Sequence, residues 1–270
     1  MKFCVPTWAW ESRLPKDQHI SAEEALFRIA ALGVSYAEFW IWEQADVARY
    51  TAKYRAELKR AIEESGVRLV ALDLHPRGIL SHSPDRRAST WDYVKQCIDI
   101  AADLDVELIT SITTPVPDGV SYDLAWNRTV DFLRRAVEYA GEREITFTLE
   151  PEPGTITANG DSFLRAVQEV PNLKANVDIG HHHLVREQPW TAVEKIGTDV
   201  AHVHLGDNDG TGDHSWAPGR GTIGQDGFRA FLTALQRVGF QGYHALDVHP
   251  AEKPDETIAE SLAYLNALEP

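Results

Sequence analysis

The strongest constraint on the fold of this 270-residue chain is an alternation repeated from end to end. A short β-rich run leads into a polar or Gly/Pro-containing stretch, then into a segment with apolar residues at helical spacing. The β-rich runs are expected at residues 2–7, 35–41, 67–74, 107–112, 145–149, 173–177, 200–205 and 242–248. Between them, Ser21-Ala22-Glu23-Glu24 reads as a capping box, and Gly33 offers a left-handed stop after Ala25, Leu26, Ile29 and Leu32. Later helices are expected to end near 65–66, to run through 93–101 and 132–140, and to cover 161–170, 225–238 and 255–268, with another starting near 189.

Eight strand–helix units imply parallel pairing, because each crossover needs a helix to return the chain. The pattern matches an α/β fold of the (β/α)8 TIM barrel type, one domain over residues 1–270. A doubly wound sheet would carry G-x-G-x-x-G after its first strand, and none follows residues 2–7. Length alone allows two small domains, but no linker, low-complexity segment or shift of composition divides the chain.

Composition narrows the function. Hydrophobic residues at 43% and charged residues at 25% exclude the disordered and fibrous classes. With 26 Lys and Arg against 41 Asp and Glu, the formal charge is −15, which opposes a nucleic-acid partner. No basic run is longer than two residues, as at Arg86-Arg87. No apolar stretch approaches the roughly 20 residues that span a bilayer, so no membrane partner is expected. Cys4 and Cys97 make no disulfide framework and read as buried or half-buried thiols of a reducing compartment. With no charged segment followed by a long apolar run at the start, the expected location is cytoplasmic.

Catalytic groups of such barrels stand at the C-terminal ends of the strands. The fifth run ends in Leu149-Glu150-Pro151 and the sixth in Val177-Asp178-Ile179-Gly180-His181. The seventh ends in His202-Val203-His204-Leu205-Gly206-Asp207-Asn208, and the eighth in Ala245-Leu246-Asp247-Val248-His249. A Glu, an Asp, a His and an Asp thus reach one rim. Carboxylates gathered in a small volume repel one another unless a cation neutralises them. Oxygen ligands with one imidazole suit Mn²⁺ best, with Mg²⁺ or Co²⁺ as alternatives and Zn²⁺ less favoured. For each residue alone, strand-end solvation or helix capping explains as much; the set of four points to a divalent metal.

On these motifs the chain resembles the xylose-isomerase-like barrels, which include ketose 3-epimerases, hydroxypyruvate isomerase, inosose dehydratase, 3-dehydroshikimate dehydratases and endonuclease IV barrels. The resemblance covers nearly the whole chain and is most specific over 148–221, where His214-Ser215-Trp216-Ala217-Pro218-Gly219-Arg220-Gly221 resembles the family's His-then-Pro-Gly-x-Gly loop with one extra residue. It implies Glu150, Asp178, His204 and Asp247 as metal ligands, with His181 and His214 near the substrate. Two positions depart from it. Asp247 stands where most relatives have Glu, and Ile156 stands where the epimerases carry a second Glu. Both count against plain ketose 3-epimerisation.

The implied reaction is concrete. A metal that chelates a carbonyl oxygen and the neighbouring hydroxyl acidifies the α C–H and stabilises an enediolate. Glu150 is the expected base, and Asp247 or a histidine, His181 foremost, returns the proton. Return to the other carbon makes an isomerase, and return to the opposite face makes an epimerase. Loss of a β-hydroxyl makes a lyase or dehydratase acting on a keto-sugar, keto-inositol or dehydroshikimate-like compound. The leading expectation is an isomerase or epimerase of a small ketose or keto-polyol, unphosphorylated because no Lys/Arg clamp stands out. A nuclease is opposed by the charge and by the lack of His at most early strand ends. A non-catalytic barrel is opposed by the retained ligand types. The resemblance also allows a homo-oligomer, relatives often being dimers or tetramers.

Other residues are weighed between pocket and scaffold. Trp8, Trp10, Trp40 and Trp42 follow the first two strands and could stack on a sugar face or pack the barrel. His75 could contact substrate or cap its loop, and Arg220 could hold a substrate oxygen or be a solvated loop residue. Glu152 could be an acid behind the ligands. Asp207 could orient His204. His182 and His183 read as helix-start residues.

Overall fold

The computed structural model describes residues 1–268. Its strands are β1 (Phe3–Pro6), β2 (Tyr36–Ile41), β3 (Arg68–Leu74), β4 (Leu108–Ser111), β5 (Thr146–Leu149), β6 (Lys174–Asp178), β7 (Val200–His204) and β8 (Tyr243–Ala245). They pair in parallel and in sequence order, and β1 closes on β8 through Phe3↔His244 and Cys4↔Ala245. The expected eight-stranded TIM barrel is what the chain forms.

Around it lie α1 (Ala22–Ala31), α2 (Ala52–Ser65), α3 (Pro84–Asp103), α4 (Tyr122–Gly141), α5 (Gly160–Glu169), α6 (Ile179–Leu184), α7 (Pro189–Ile196), α8 (Gly224–Arg237) and α9 (Pro254–Asn266). Of the expected capping box at α1 the Ser21 half forms, while the Glu24 side chain turns to Arg28 at 3.2 Å. Ser21 accepts from Glu24 N–H, and Thr51, Ser83 and Ser121 cap α2, α3 and α4 in the same way. Gly66, at φ 70°, stops α2 in the left-handed conformation.

Alternation along the strands sorts side chains into two layers. Phe39, Leu72, Ile109, Phe147, Val177 and Val203 join helix residues such as Leu26, Leu133 and Phe163 in one apolar cluster between barrel and helices. Each such side chain contributes about 1.5–3 kcal/mol on full burial. The residues between them face the barrel interior, and many are polar: Glu38, Asp73, Thr110, Thr148, Asn176, Asp178, His202 and His204 are all buried. A barrel interior is ordinarily filled by branched apolar residues. Here its upper layers are polar.

Two elements differ from the sequence reading. The expected run at 242–248 pairs only over Tyr243–Ala245. Beyond it Asp247 N–H and Val248 N–H turn back to the carbonyls of Ala245 and Leu246, which takes Asp247 out of the ladder. The second is an added helix: the segment after β6 forms the short α6, which takes in His182 and His183, expected at a helix start, and is capped by Asp178 itself.

Glu187 ties three helices together. It accepts from Gly160 N–H at the start of α5, from His182 Nδ1–H on α6 and from Lys195 Nζ on α7, at 2.9–3.0 Å. The His182 hydrogen bond is the chief cause that holds its carboxyl down at about 2, against burial. A depressed carboxylate stabilises the fold above the ordinary pKa of 4.5 and loses that contribution as pH falls towards 2. Glu187→Gln is expected to lower the melting temperature at pH 7 by roughly 5 °C. Calorimetry from pH 7 to 3 should show the gap to wild type narrowing below pH 4.5. A gap independent of pH would refute the assignment.

Cys4 and Cys97 are free and buried, as expected, and burial pushes both thiols up, away from nucleophilic use.

Candidate active site

Asp178 and His204 are direct cross-strand partners at the ends of β6 and β7. Glu150 continues β5 by one residue, its N–H donating to Ser111 O at 2.9 Å. Strand alternation turns all three side chains inward. One donor atom from each of Glu150, Asp178 and His204 falls within 4.8 Å of the others, in a buried corner. His204 Nδ1 lies 3.3 Å from Glu150 Oε1 and 3.9 Å from Asp178 Oδ2. Asp178 divides its oxygens, since Oδ1 accepts from His181 N–H at 2.8 Å and thereby caps α6. Asp178 therefore caps α6 with one oxygen and turns the other into the corner.

The corner opens into a cavity of about 110 Å³ at the C-terminal mouth of the barrel, lined in part by Trp8, Trp40, His75, His181 and Asp247. Trp8 stacks on Trp40 with ring centroids 5.2 Å apart, and Trp42 packs on Trp40 and on His75. Trp10 takes the packing role, buried with its Nε1–H on Asp255. His181 Nδ1 lies 3.3 Å from Glu150 Oε1, and its Nε2 lies 3.5 Å from Asp213 Oδ2.

Asp247 stands on the wall, outside the three-donor corner. Trp8 Nε1–H donates to its Oδ1 at 3.2 Å, and His249 Nε2 lies 3.0 Å from the same oxygen. The departure of the chain from the β8 ladder accounts for this displacement, and the shorter side chain compounds it.

The electrostatics follow from burial. Burial pushes Glu150 up to about 7, with His204 and His181 pulling the other way. Burial also raises Asp178. Asp247 is lowered, because His249 outweighs its burial. Burial lowers His181 and His204, but surrounding carboxylates, Asp178 and Glu150 respectively, more than reverse this and raise both well above the ordinary value. Protonated histidines next to carboxylates are the arrangement that a divalent cation can replace, charge for charge. Two carboxylates and an imidazole within this spacing fit such an ion.

Two expected substrate contacts lie elsewhere. His214 stacks on Trp216 at 4.5 Å with Nε2 3.4 Å from Asp209, and Arg220 points outward to Glu260 at 2.8 Å. The reason is Asp207, which does not orient His204. Wholly buried, it accepts from the backbone N–H groups of Asn208, Gly219 and Ile223, and so pins the loop 208–223. Gly221 runs so close beneath that a Cβ there would meet Asn208 O at 2.2 Å. The loop instead presents Asp213 and Ser215 to the cavity. His182 and His183 turn away, to Glu187 and Thr222.

The sequence reading passed over Arg13, Asp73 and His249, which line the cavity, and Glu38 with His202 beneath it. Glu38 on β2 has no exposed surface. Its Oε2 lies 3.0 Å from His202 Nε2 and its Oε1 lies 3.2 Å from His204 Nε2. Burial would raise its carboxyl, but the two imidazoles prevail and hold it at about 2. Desolvating a carboxylate costs several kcal/mol. Two charge-assisted hydrogen bonds return about 1.5–3 kcal/mol each, so the cluster adds little net stability. The signal that could have found both was period two: Glu38 precedes Trp40, and His202 precedes His204, at inward positions.

An eight-stranded parallel barrel with carboxylates and imidazoles at its C-terminal mouth defines a barrel enzyme class that works at strand ends. The chain belongs to the xylose isomerase-like TIM barrel family, whose model matches residues 26–268. Fructoselysine 3-epimerase of Shigella flexneri is 23% identical over 179 residues, a match spanning 64% of each chain. Among solved structures, D-psicose 3-epimerase from Clostridium cellulolyticum H10, with D-tagatose, superposes with a TM-score of 0.83 at 18% identity, covering 100% of this chain and 99% of that one. The IolI protein with a bound zinc atom superposes at 0.80 and 16% identity, covering 100% and 98%. At these identities the structures show the shared fold.

Proposed function

We propose that the chain is a divalent-metal-dependent isomerase or epimerase of a small, unphosphorylated ketose or keto-polyol. The observation that carries this reading is the convergence of Glu150, Asp178 and His204 in one buried corner beneath an aromatic-walled cavity. Those three residues would hold the ion, with Asp247 as the fourth ligand or as the second proton carrier. Bound there, the ion would polarise a carbonyl and ease loss of the neighbouring proton.

The rest is the work of the chain. Glu150, buried in the corner with two histidines 3.3 Å from its Oε1, is placed to take a proton from carbon. His181, 3.3 Å away, steadies that carboxylate. The stacked pair Trp8 and Trp40 offers a flat face for the C–H side of a sugar, and Trp8 fixes Asp247 through its Nε1–H. Five carboxylates line the cavity against a single arginine, Arg13, which disfavours a phosphate. The epimerase names among the relatives support the same reaction type.

Incubating the Mn²⁺-loaded protein with ketoses and keto-inositols in D₂O, followed by ¹H NMR, tests the reading. Deuterium is expected at the carbon next to the carbonyl, with formation of an isomer and no alkene. A conjugated enone or enol product from loss of water would overturn it in favour of a lyase.

A further inference from the structure

We infer that Glu38 is the positioning residue of the metal corner: from inside the barrel it fixes the proton on His204 Nε2 and so aims Nδ1 at the ion. The inference rests on the metal reading of Glu150, Asp178 and His204. Each Glu38 oxygen faces a different imidazole nitrogen, at 3.0 and 3.2 Å, and a carboxylate bridges two imidazoles by accepting from both, which puts a proton on the His204 nitrogen nearest Oε1. His204 Nε2 is thereby committed, and Nδ1 is the nitrogen that faces Glu150 and Asp178. The second carboxylate oxygen is committed in the same way to His202 Nε2–H at 3.0 Å. This leaves His202 Nδ1 as a bare lone pair, and that atom is buried without a hydrogen-bond partner.

Two further features agree. The β2–β3 ladder shifts register between Ala37 and Glu38, and the β6–β7 ladder shifts between Ala175 and Asn176, the residue paired with His202. Such irregularities re-aim side chains near functional sites. The other acidic candidate for orienting His204, Asp207, spends both oxygens on the loop 208–223. The cluster is thus the carboxylate–imidazole–metal arrangement in which the buried carboxylate sets tautomer and ring angle. His202 keeps Glu38 from swinging away. Direct contacts at 3.0 and 3.2 Å pair both Glu38 oxygens with the two Nε2 atoms, without an ion between them.

The test is Mn²⁺ binding to chelator-stripped protein, followed by the electron paramagnetic resonance of free Mn²⁺. Wild type is expected to take up one ion. Glu38→Gln, which must turn an N–H towards one of the two imidazoles, is expected to raise the dissociation constant about 10- to 100-fold. Circular dichroism and the melting temperature of the metal-free variant should stay close to wild type. An unchanged dissociation constant overturns the inference and leaves the metal reading standing, whereas no uptake by wild type overturns both. A second ion in wild type that Glu38→Gln loses would make Glu38 a ligand, and also overturns it. A measurement on wild type alone covers a variant that fails to fold. In ¹⁵N-histidine NMR of the Zn²⁺-loaded protein, His204 should show a protonated Nε2 and a metal-shifted Nδ1; the reverse pattern refutes the inference.

Discussion

Glu150→Gln is expected to lower kcat by about 10³-fold at saturating Mn²⁺ and to abolish deuterium exchange into substrate. The argument is one of position and charge. Glu150 is 3% exposed, and burial holds its carboxyl at about 7. It stands between two histidines, His181 and His204, each 3.3 Å from its Oε1. Gln keeps the shape and an oxygen that can ligate, but it has no basic oxygen to take a proton. It should also keep a hydrogen bond with Asn176, whose Nδ2–H₂ donates to Glu150 Oε2 at 3.1 Å and can meet the amide oxygen instead. The fold should therefore survive, as near-ultraviolet dichroism of the stacked tryptophans can check. Mn²⁺ binding is to be measured in parallel, so that loss of metal and loss of base are read apart. Full kcat at saturating Mn²⁺ would remove Glu150 from the role of base.

What could be read in the sequence follows the range of the interactions. The barrel strands are fixed by local alternation and by short caps such as Ser21 and Ser83, and the eight runs were legible within a residue or two, except at 242–248. The ligand-type residues Glu150, Asp178 and His204 were legible because a strand end dictates where its side chain goes. Asp247 lines the same cavity but stands off on its wall, because its place depends on backbone turns after Ala245 and on contacts from Trp8 and His249, remote or irregular in sequence. Arg220 and His214 stand outside that cavity for a similar reason. Their loop takes its path from Asp207 reaching residues up to 16 positions away, which no local pattern encodes. Glu38 was overlooked although its signal is simple. A charged residue at an inward position of a strand buried on both faces is too costly to be idle.

Removing the metal should cost stability as well as activity, and Asp178→Asn should erase the difference. An ion that binds the folded chain and not the unfolded one stabilises it by about 2.7 kcal/mol at 100 times its dissociation constant. For a chain of this size that is a rise in melting temperature of about 5–8 °C over the chelator-treated protein. Asp178 is the residue that can separate fold from site. Its Oδ1 caps α6 through His181 N–H, while its Oδ2 faces His204. Asn caps a helix about as well as Asp, so the metal-free melting temperature of Asp178→Asn should match wild type. Its amide offers the corner no charge, and one of its two groups must turn a donor towards His204. The increment from Mn²⁺ should then vanish or shrink severalfold in a thermal melt with and without the ion. A variant that still gains the full 5–8 °C expected from linkage would show that the ion binds without Asp178 and would overturn the proposed ligand set.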